Sequence, residues 1–394
     1  MNSITNICFN EKRAFIRADF NVPFNNQGLI SDNSRIVAAL PTIRHVLSNG
    51  GSCILASHLG RPNGIDLSFS LRKILFELSN LLQQEVFFCD DCVGDEAVKY
   101  SLKLKKGQIL LLENLRFYKE ETNADEEFAK RLASLADVYI NDAYATTHRE
   151  HASTVTMAKF FKEKCAGILL QNEINNLKKI IYKAERPVTA IIGGAKVSSK
   201  ISVIANILDF VDNLIIGGGM AFTFVKHNGG NIGDSIFEHD SLDDCAKVLR
   251  QAKGKNVNIF LPVDVVVSNI FSNHGPKKTV KINDIPDGWQ GLDIGQASVN
   301  EFKNIIHFSS TILWNGPMGV FEFSSFSKGT KLIAEAVAEA TKKGAFSLAG
   351  GGDSVAAIKK FNLQKKVSFI STGGGAMLEG LEGKALPGIN ALTQ

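Results

Sequence analysis

Short apolar runs recur along this chain, each closing on Gly, Asn, Asp or His, and each is followed by a longer segment whose apolar positions return every three or four residues. The first pattern suits a buried strand and the second an amphipathic helix. Strands are predicted over Arg13 to Ala18, Ser52 to Ala56, Gln108 to Leu112, Asp137 to Ile140 and Val188 to Ile192. Others are predicted over Asn213 to Ile216, Asn258 to Leu261, Thr311 to Trp314, Phe346 to Ala349 and Val367 to Ile370. Helices are expected over Ser34 to Leu47, with Pro41 as a kink point, and over Lys331 to Lys342 with its A-E-A-V-A-E-A spacing.

Strand alternating with helix is the mark of parallel α/β architecture. One sheet of about ten strands approaches the practical limit, so the expectation is two Rossmann-like three-layer α/β/α domains with parallel sheets. The break is placed at NEINNLKKIIYKAE, Asn172 to Glu185, which has helical spacing and stops before Arg186-Pro187. The expected division is a first domain over 1–171, a connecting helix over 172–186 and a second domain over 187–380. In parallel sheets ligands bind beyond the carboxyl ends of the strands, so those turns carry the chemistry.

Composition narrows the class. Hydrophobic residues at 44%, charged at 21% and Gly 34 describe a globular chain, and no apolar run reaches membrane-spanning length. The first fifteen residues lack an apolar core, which leads us to expect a cytoplasmic protein. A net charge of +4 is small for 394 residues and argues against a nucleic-acid or membrane-surface partner. Cys8, Cys53, Cys89, Cys92, Cys165 and Cys245 are scattered, which favours reduced thiols. Cys89-Asp-Asp-Cys92 lacks a second pair for zinc, and its aspartates would raise thiol pKa values.

The two halves differ after their strands. The first carries Asp19-Phe-Asn21, His58-Leu-Gly-Arg61, Glu113-Asn-Leu-Arg116 and Asn141-Asp142 leading to His148-Arg149-Glu-His151. Arg61, Arg116 and Arg149, joined by Arg35 at an expected helix start, could converge with His58 on a small phosphorylated acid, because guanidinium forks bind phosphate and carboxylate bidentately. His148 and His151 lack a third metal ligand in sequence reach and read as satisfied or anion-facing.

The second half is glycine-rich: Gly193-Gly-Ala-Lys196, Gly217-Gly-Gly219, Asn315-Gly-Pro317, Gly350-Gly-Gly-Asp353 and Gly373-Gly-Gly375. Such turns let backbone N–H groups approach nucleotide phosphates. The cation missing from Gly350-Gly-Gly-Asp-Ser354 is supplied by Lys196 and Lys200, expected on one face of a helix's first turns. Like charges there cost about 0.3–1 kcal/mol each, which an anionic ligand would offset. Asp353 is suited to a Mg²⁺ that bridges phosphates, and helix capping by Asp353 or Ser354 is the competing role. None of the glycine triplets completes GxGxxG, which disfavours a nicotinamide dehydrogenase. A catalytically idle two-domain binder of phosphorylated metabolites is the other alternative.

These motifs together resemble phosphoglycerate kinase over essentially the whole chain. RADFNVP, SHLGRP, LLENLRFYKEE and NDAYATTHREHAST resemble its acid-binding half. GGAKVSSKI, IIGGGMAFTF, GLDIG, ILWNGPMGVFE, AGGGDSVAAI and STGGGAMLEGLEGKALPGI resemble its nucleotide half. The chain departs from the family pattern at Ala18, Tyr144-Ala145 and Glu150, and no matched ligand is lost.

The resemblance implies that Asp19, Phe20, Asn21, Arg35, His58, Leu59, Gly60, Arg61, Arg116 and Arg149 hold 3-phosphoglycerate or 1,3-bisphosphoglycerate. It implies that Lys200, Gly291, Asn315, Glu322, Gly351, Gly352, Asp353 and Ser354 hold ADP or ATP, with Glu322 toward the ribose and Asp353 toward Mg²⁺. Arg35, Lys196, Gly373 and Gly374 would flank the transferring phosphoryl group in an active site in the interdomain cleft. The resemblance further implies a monomer whose tail, residues 381–394, packs on the first domain. The acceptor is a carboxylate, ionised at pH 7, so in-line transfer needs charge neutralisation rather than a general base.

Overall fold

The computed structural model describes residues 2–393, so Met1 and Gln394 of the expected domain ranges lie outside the described residues. The chain forms two compact units, one running through Asn175 and resuming at Ala385, the other spanning Asn176–Lys384. The division falls inside helix Ile168–Tyr182, which starts four residues before the expected connecting helix and ends four before its expected end. Its start is fixed by groups remote in sequence: the Ile168 N–H donates to the Thr42 hydroxyl at 2.8 Å and the Leu170 N–H to the Asp142 carboxylate at 3.2 Å.

Among the described residues the first unit holds a seven-stranded parallel sheet in the order Asn2–Ser3, Lys164–Ala166, Val138–Asn141, Arg13–Arg17, Ser52–Ala56, Ile109–Leu112, Phe87–Cys89. Every residue of Arg13–Arg17 after the first, and all of Ser52–Ala56 and Ile109–Leu112, are buried, as strands covered on both faces require. From Arg13–Arg17 the chain moves to Ser52–Ala56 on one side, while Val138–Asn141 lands on the other. The strand order therefore reverses beside Arg17.

The second unit repeats the logic with six parallel strands: Asn258–Phe260, Asn213–Ile216, Val188–Ile192, Thr311–Asn315, Phe346–Ala349, Phe369–Ile370. Numbered along the chain this is the order 3-2-1-4-5-6, and the reversal lies between Val188–Ile192 and Thr311–Asn315. Its core includes fully buried Trp314, whose indole N–H donates to the Gly316 carbonyl at 2.8 Å and so ties the core to the loop above the reversal. An additional antiparallel sheet, Lys277–Lys281, Asp264–Ser268 and Gln290–Ile294, stands beyond the parallel architecture expected. Lys277–Lys281 is KKTVK and nearly all exposed, so it carried no apolar alternation to read.

Helix Ser34–Ser48 contains Pro41 in its interior, and helix Lys328–Lys342 begins three residues earlier than its apolar spacing suggested. The Asp293 carboxylate accepts the Gly329 N–H at 2.7 Å and holds that start. No helix among the described residues is long and apolar enough to cross a membrane.

Candidate active site

The turn after strand Arg13–Arg17 begins the first cluster of the expected site residues. Asp19 pairs with Arg35, the second residue of helix Ser34–Ser48, and its other oxygen lies 3.9 Å from His58 Nδ1. Phe20 and Leu59 are buried, and the Phe20 N–H donates to the Ser57 hydroxyl at 2.8 Å. Asn21 accepts the Gly60 N–H at 2.8 Å, and Arg116 donates to the Gly60 carbonyl at 2.5 Å. The Asn114 side chain accepts from Leu59 N–H at 3.2 Å and from Arg116 N–H at 3.0 Å. Three successive strand ends are thereby stitched together.

Charge shows how closely the arginines gather. His58 is buried, and its pKa is held well below the ordinary value, first by burial and then by Arg17, Arg116, Arg35 and Arg149. Arg116 is pulled down to about 10 by burial, then by Arg149 and Arg17, with Arg61 contributing less. Burial, then Arg17, Arg116 and Arg149, bring His151 down to about 4. Two like charges about 7 Å apart repel by roughly 2 kcal/mol at an effective dielectric of ~20. A cluster of this kind is costly without an anion in it, and both histidines remain neutral at pH 7.

The second side is built on the other reversal point. Lys200 donates its ammonium to the carbonyls of Gly193, at 2.6 Å, and Asn315, at 3.0 Å, bridging the two strands where the order reverses. Burial brings it down to about 8, against an opposing pull from Asp353. Lys196 and Lys200 do not share a helix face, as the spacing suggested; both precede helix Ile201–Ile207, and Lys196 is exposed. The intervening segment leaves the helical path because Ser198 is clamped by Glu238, its N–H and hydroxyl donating at 2.9 and 2.6 Å.

Beside this bridge lies a cavity of about 270 Å³, mainly apolar, walled by Phe222, Ile236, Val265 and Met318 among others, with Gly291, Glu322 and Asp353 also on its lining. Gly316 holds φ +114, and a Cβ there would stand 2.1 Å from the Gly193 carbonyl oxygen, so only glycine allows this close passage of the two loops. Ser354 does not cap its helix: its buried hydroxyl accepts the Gly316 N–H at 2.5 Å. Asp353, in the first turn of helix Gly352–Lys360, is exposed; the N-cap position is Gly351, and neither side chain fills the capping role. Asn315 donates to the Gly350 carbonyl at 2.8 Å. Gly373 precedes helix Gly374–Leu381, and a Cβ on Gly374 would lie 3.2 Å from the Gly351 Cα, so these two glycine loops are neighbours.

Sequence reasoning passed over Arg17. It closes a strand whose three inner residues, Ala14 to Ile16, are apolar, is fully buried, and places its guanidinium 3.4 Å from His58 Nδ1. A charged residue inside an apolar strand core was the available signal. The CxxC holds no disulfide: both thiols are free, buried and pushed up in pKa, chiefly by burial rather than by the intervening aspartates. No group of three or more His, Cys, Asp or Glu suited to a metal occurs among the described residues.

The family model described as phosphoglycerate kinase matches residues 4–384. The chain is 49% identical over 409 residues to the phosphoglycerate kinase of Porphyromonas gingivalis, covering 98% of each chain. It is 50% identical over 383 residues to the cytosolic phosphoglycerate kinase of Triticum aestivum, covering 97% of this chain and 96% of the relative. The solved structure of phosphoglycerate kinase from Coxiella burnetii aligns with a TM-score of 0.90 at 41% identity, over 99% of this chain and 98% of that one.

Proposed function

The chain belongs to the phosphoglycerate kinase family, and on that premise we propose how its residues divide the reversible transfer of a phosphoryl group between 1,3-bisphosphoglycerate and ADP. Asp19, Asn21, Arg35, His58, Arg61, Arg116 and Arg149 hold the acid, with the backbone of Phe20, Leu59 and Gly60 shaping the pocket floor. The observation that carries this half is geometric: Arg35 pairs with Asp19, whose other oxygen lies 3.9 Å from the buried His58 ring, and Arg116 reaches the Gly60 carbonyl beside it at 2.5 Å. An anion of two or more charges offsets the mutual repulsion of that cluster, and guanidinium forks orient it.

Lys200, Gly291, Asn315, Glu322, Gly351, Gly352, Asp353 and Ser354 serve the nucleotide. The apolar cavity suits a base, and the carboxylate of Glu322 on its lining suits ribose hydroxyls. Asp353 is the residue that would hold Mg²⁺. A single exposed carboxylate fits an ion that arrives on nucleotide phosphates, since Mg²⁺ is commonly bound by one or two carboxylates plus substrate oxygens. When bound, the ion supplies neutralisation of phosphate charge.

Arg35, Lys196 and the helix start at Gly373 and Gly374 are the groups assigned to the moving phosphoryl. The Lys196 side chain is exposed on a loop whose backbone is held at Ser198 and at its own carbonyl, which accepts the Ser199 hydroxyl at 3.0 Å, while the N–H groups of helix Gly374–Leu381 present a partial positive end. No base is needed, because the acceptor carboxylate is already ionised. Bringing the acid and the nucleotide into one dry enclosure is then the step the two-unit architecture must provide. We further infer a cytoplasmic location, in line with the cytosolic wheat relative, and a monomer, on the family resemblance alone. The test is direct: the purified chain with Mg²⁺, ADP and 1,3-bisphosphoglycerate should release ATP, and absence of turnover overturns the assignment.

A further inference from the structure

We propose that Glu121 and Ser153 are positioning residues for acid binding, forming with Arg17 a buried relay that locks together the loops of the arginine cluster. The inference rests on the acid-site reading above.

Arg17, Glu121 and Ser153 are all fully buried. Arg17 donates through Nε to the Ser153 hydroxyl at 2.9 Å and through Nη1 to the Ala18 carbonyl at 2.5 Å. The Ser153 hydroxyl donates in turn to Glu121 Oε1 at 2.5 Å, and the Ser153 N–H to Glu121 Oε2 at 2.9 Å. The Glu121 carbonyl accepts the Ala152 N–H at 2.9 Å. Both carboxylate oxygens and the backbone of one residue are thus spent on one loop.

That loop carries Arg149 and His151, and the relay reaches the other three. Arg17 ends the strand that leads into Asp19, its guanidinium abuts His58, and Glu121 lies five residues beyond Arg116. The end of strand Arg13–Arg17, the turn after Ser52–Ala56 and the loops that follow Ile109–Leu112 and Val138–Asn141 are therefore linked by one buried chain of polar contacts. Glu121 feels the charges of Arg17 and Arg116, yet burial raises its pKa overall. A carboxylate kept where burial disfavours its charge, under a site meant to attract anions, works against simple Coulomb attraction. Holding the loops is what remains for it to do.

This gives a test by sign. Removing a negative charge beneath an anion site should tighten acid binding if charge alone matters, whereas loss of the relay should loosen it. Titration calorimetry with 3-phosphoglycerate is run on the full chain and on Glu121→Gln, Ser153→Ala and the double variant. The expected result is a Kd raised about tenfold by each single change, with the double no worse than Glu121→Gln alone, and the KM for ADP unchanged. Acid affinity that is equal or tighter in Glu121→Gln, or effects that simply add, overturns the relay. Ser153→Ala, which removes one oxygen, keeps the test open if Glu121→Gln fails to fold. A fall in melting temperature with acid affinity intact means the relay serves stability only, which also overturns the proposal. If the unaltered chain does not bind 3-phosphoglycerate, it is the acid-site reading that fails instead.

Discussion

The Lys200 ammonium stands 2.6 Å from the Gly193 carbonyl oxygen, turned back onto the loop of its own strand end. Burial has brought it down to about 8, so its charge is lost just above neutrality unless a phosphate restores it. With its folded pKa below the ordinary lysine value, Lys200 sheds its proton early as pH rises. The kcat/KM for ADP should therefore fall above about pH 8, while kcat holds to higher pH because bound phosphates keep the ammonium charged. Lys200→Met should remove the limb along with most of the activity. A limb that survives this change assigns it elsewhere.

The charge of Arg149 acts on His58, Arg116 and His151 alike. Arg149→Ala should weaken 3-phosphoglycerate binding by about 10- to 100-fold, the worth of one charge-assisted contact of roughly 1.5–3 kcal/mol. Calorimetry in rising salt should show a shallower salt dependence than the unaltered chain. ADP affinity, measured alone, should not move.

Much of this site was legible because strand ends in parallel sheets are short and chemically marked. Ser52–Ala56, Val188–Ile192, Asn213–Ile216 and Phe346–Ala349 fall where the apolar runs placed them, and the residues after them carry the arginines and glycines. What could not be read depends on partners distant in sequence. The Asp293 acceptor that starts helix Lys328–Lys342 at its true position lies 36 residues from Gly329. Ser198 and Glu238, which pull the lysine segment out of helical register, are 40 residues apart. Arg17 reads locally as a flaw in a strand, and only tertiary packing brings it against His58.

Gly351 holds φ +92, and a Cβ there would lie 2.7 Å from Asn315 Nδ2, the donor that reaches the Gly350 carbonyl. Gly351→Ala is thus strained in backbone and crowded in space. It should cost on the order of 1–3 kcal/mol in stability and raise the KM for ADP, with 3-phosphoglycerate affinity unchanged. A nucleotide KM equal to that of the unaltered chain would show the loop to be uninvolved.

Asp142 gives a pH signature of folding. It is fully buried beside the start of helix Ile168–Tyr182, with Oδ1 accepting the Leu170 N–H and Oδ2 lacking an aligned partner. Burial pushes its carboxyl up to about 7, against the ordinary value of 3.8, while the nearby Thr42 hydroxyl and backbone N–H groups pull the other way. Between those two pH values the folded chain keeps a proton that the unfolded chain releases, so this residue's contribution to stability falls as pH rises from about 4 to about 7 and is level above. Cys165, whose thiol is raised to about 12 by burial and then by Asp142, stays protonated across the window and does not interfere. Asp142→Asn cannot ionise and should lose that slope. Denaturant unfolding of both proteins at pH 5 and pH 8 should show Asn gaining relative to Asp at the higher pH, by up to about 3 kcal/mol for two pKa units of that window. An equal difference at both pH values would mean that Asp142 is solvated enough to titrate normally.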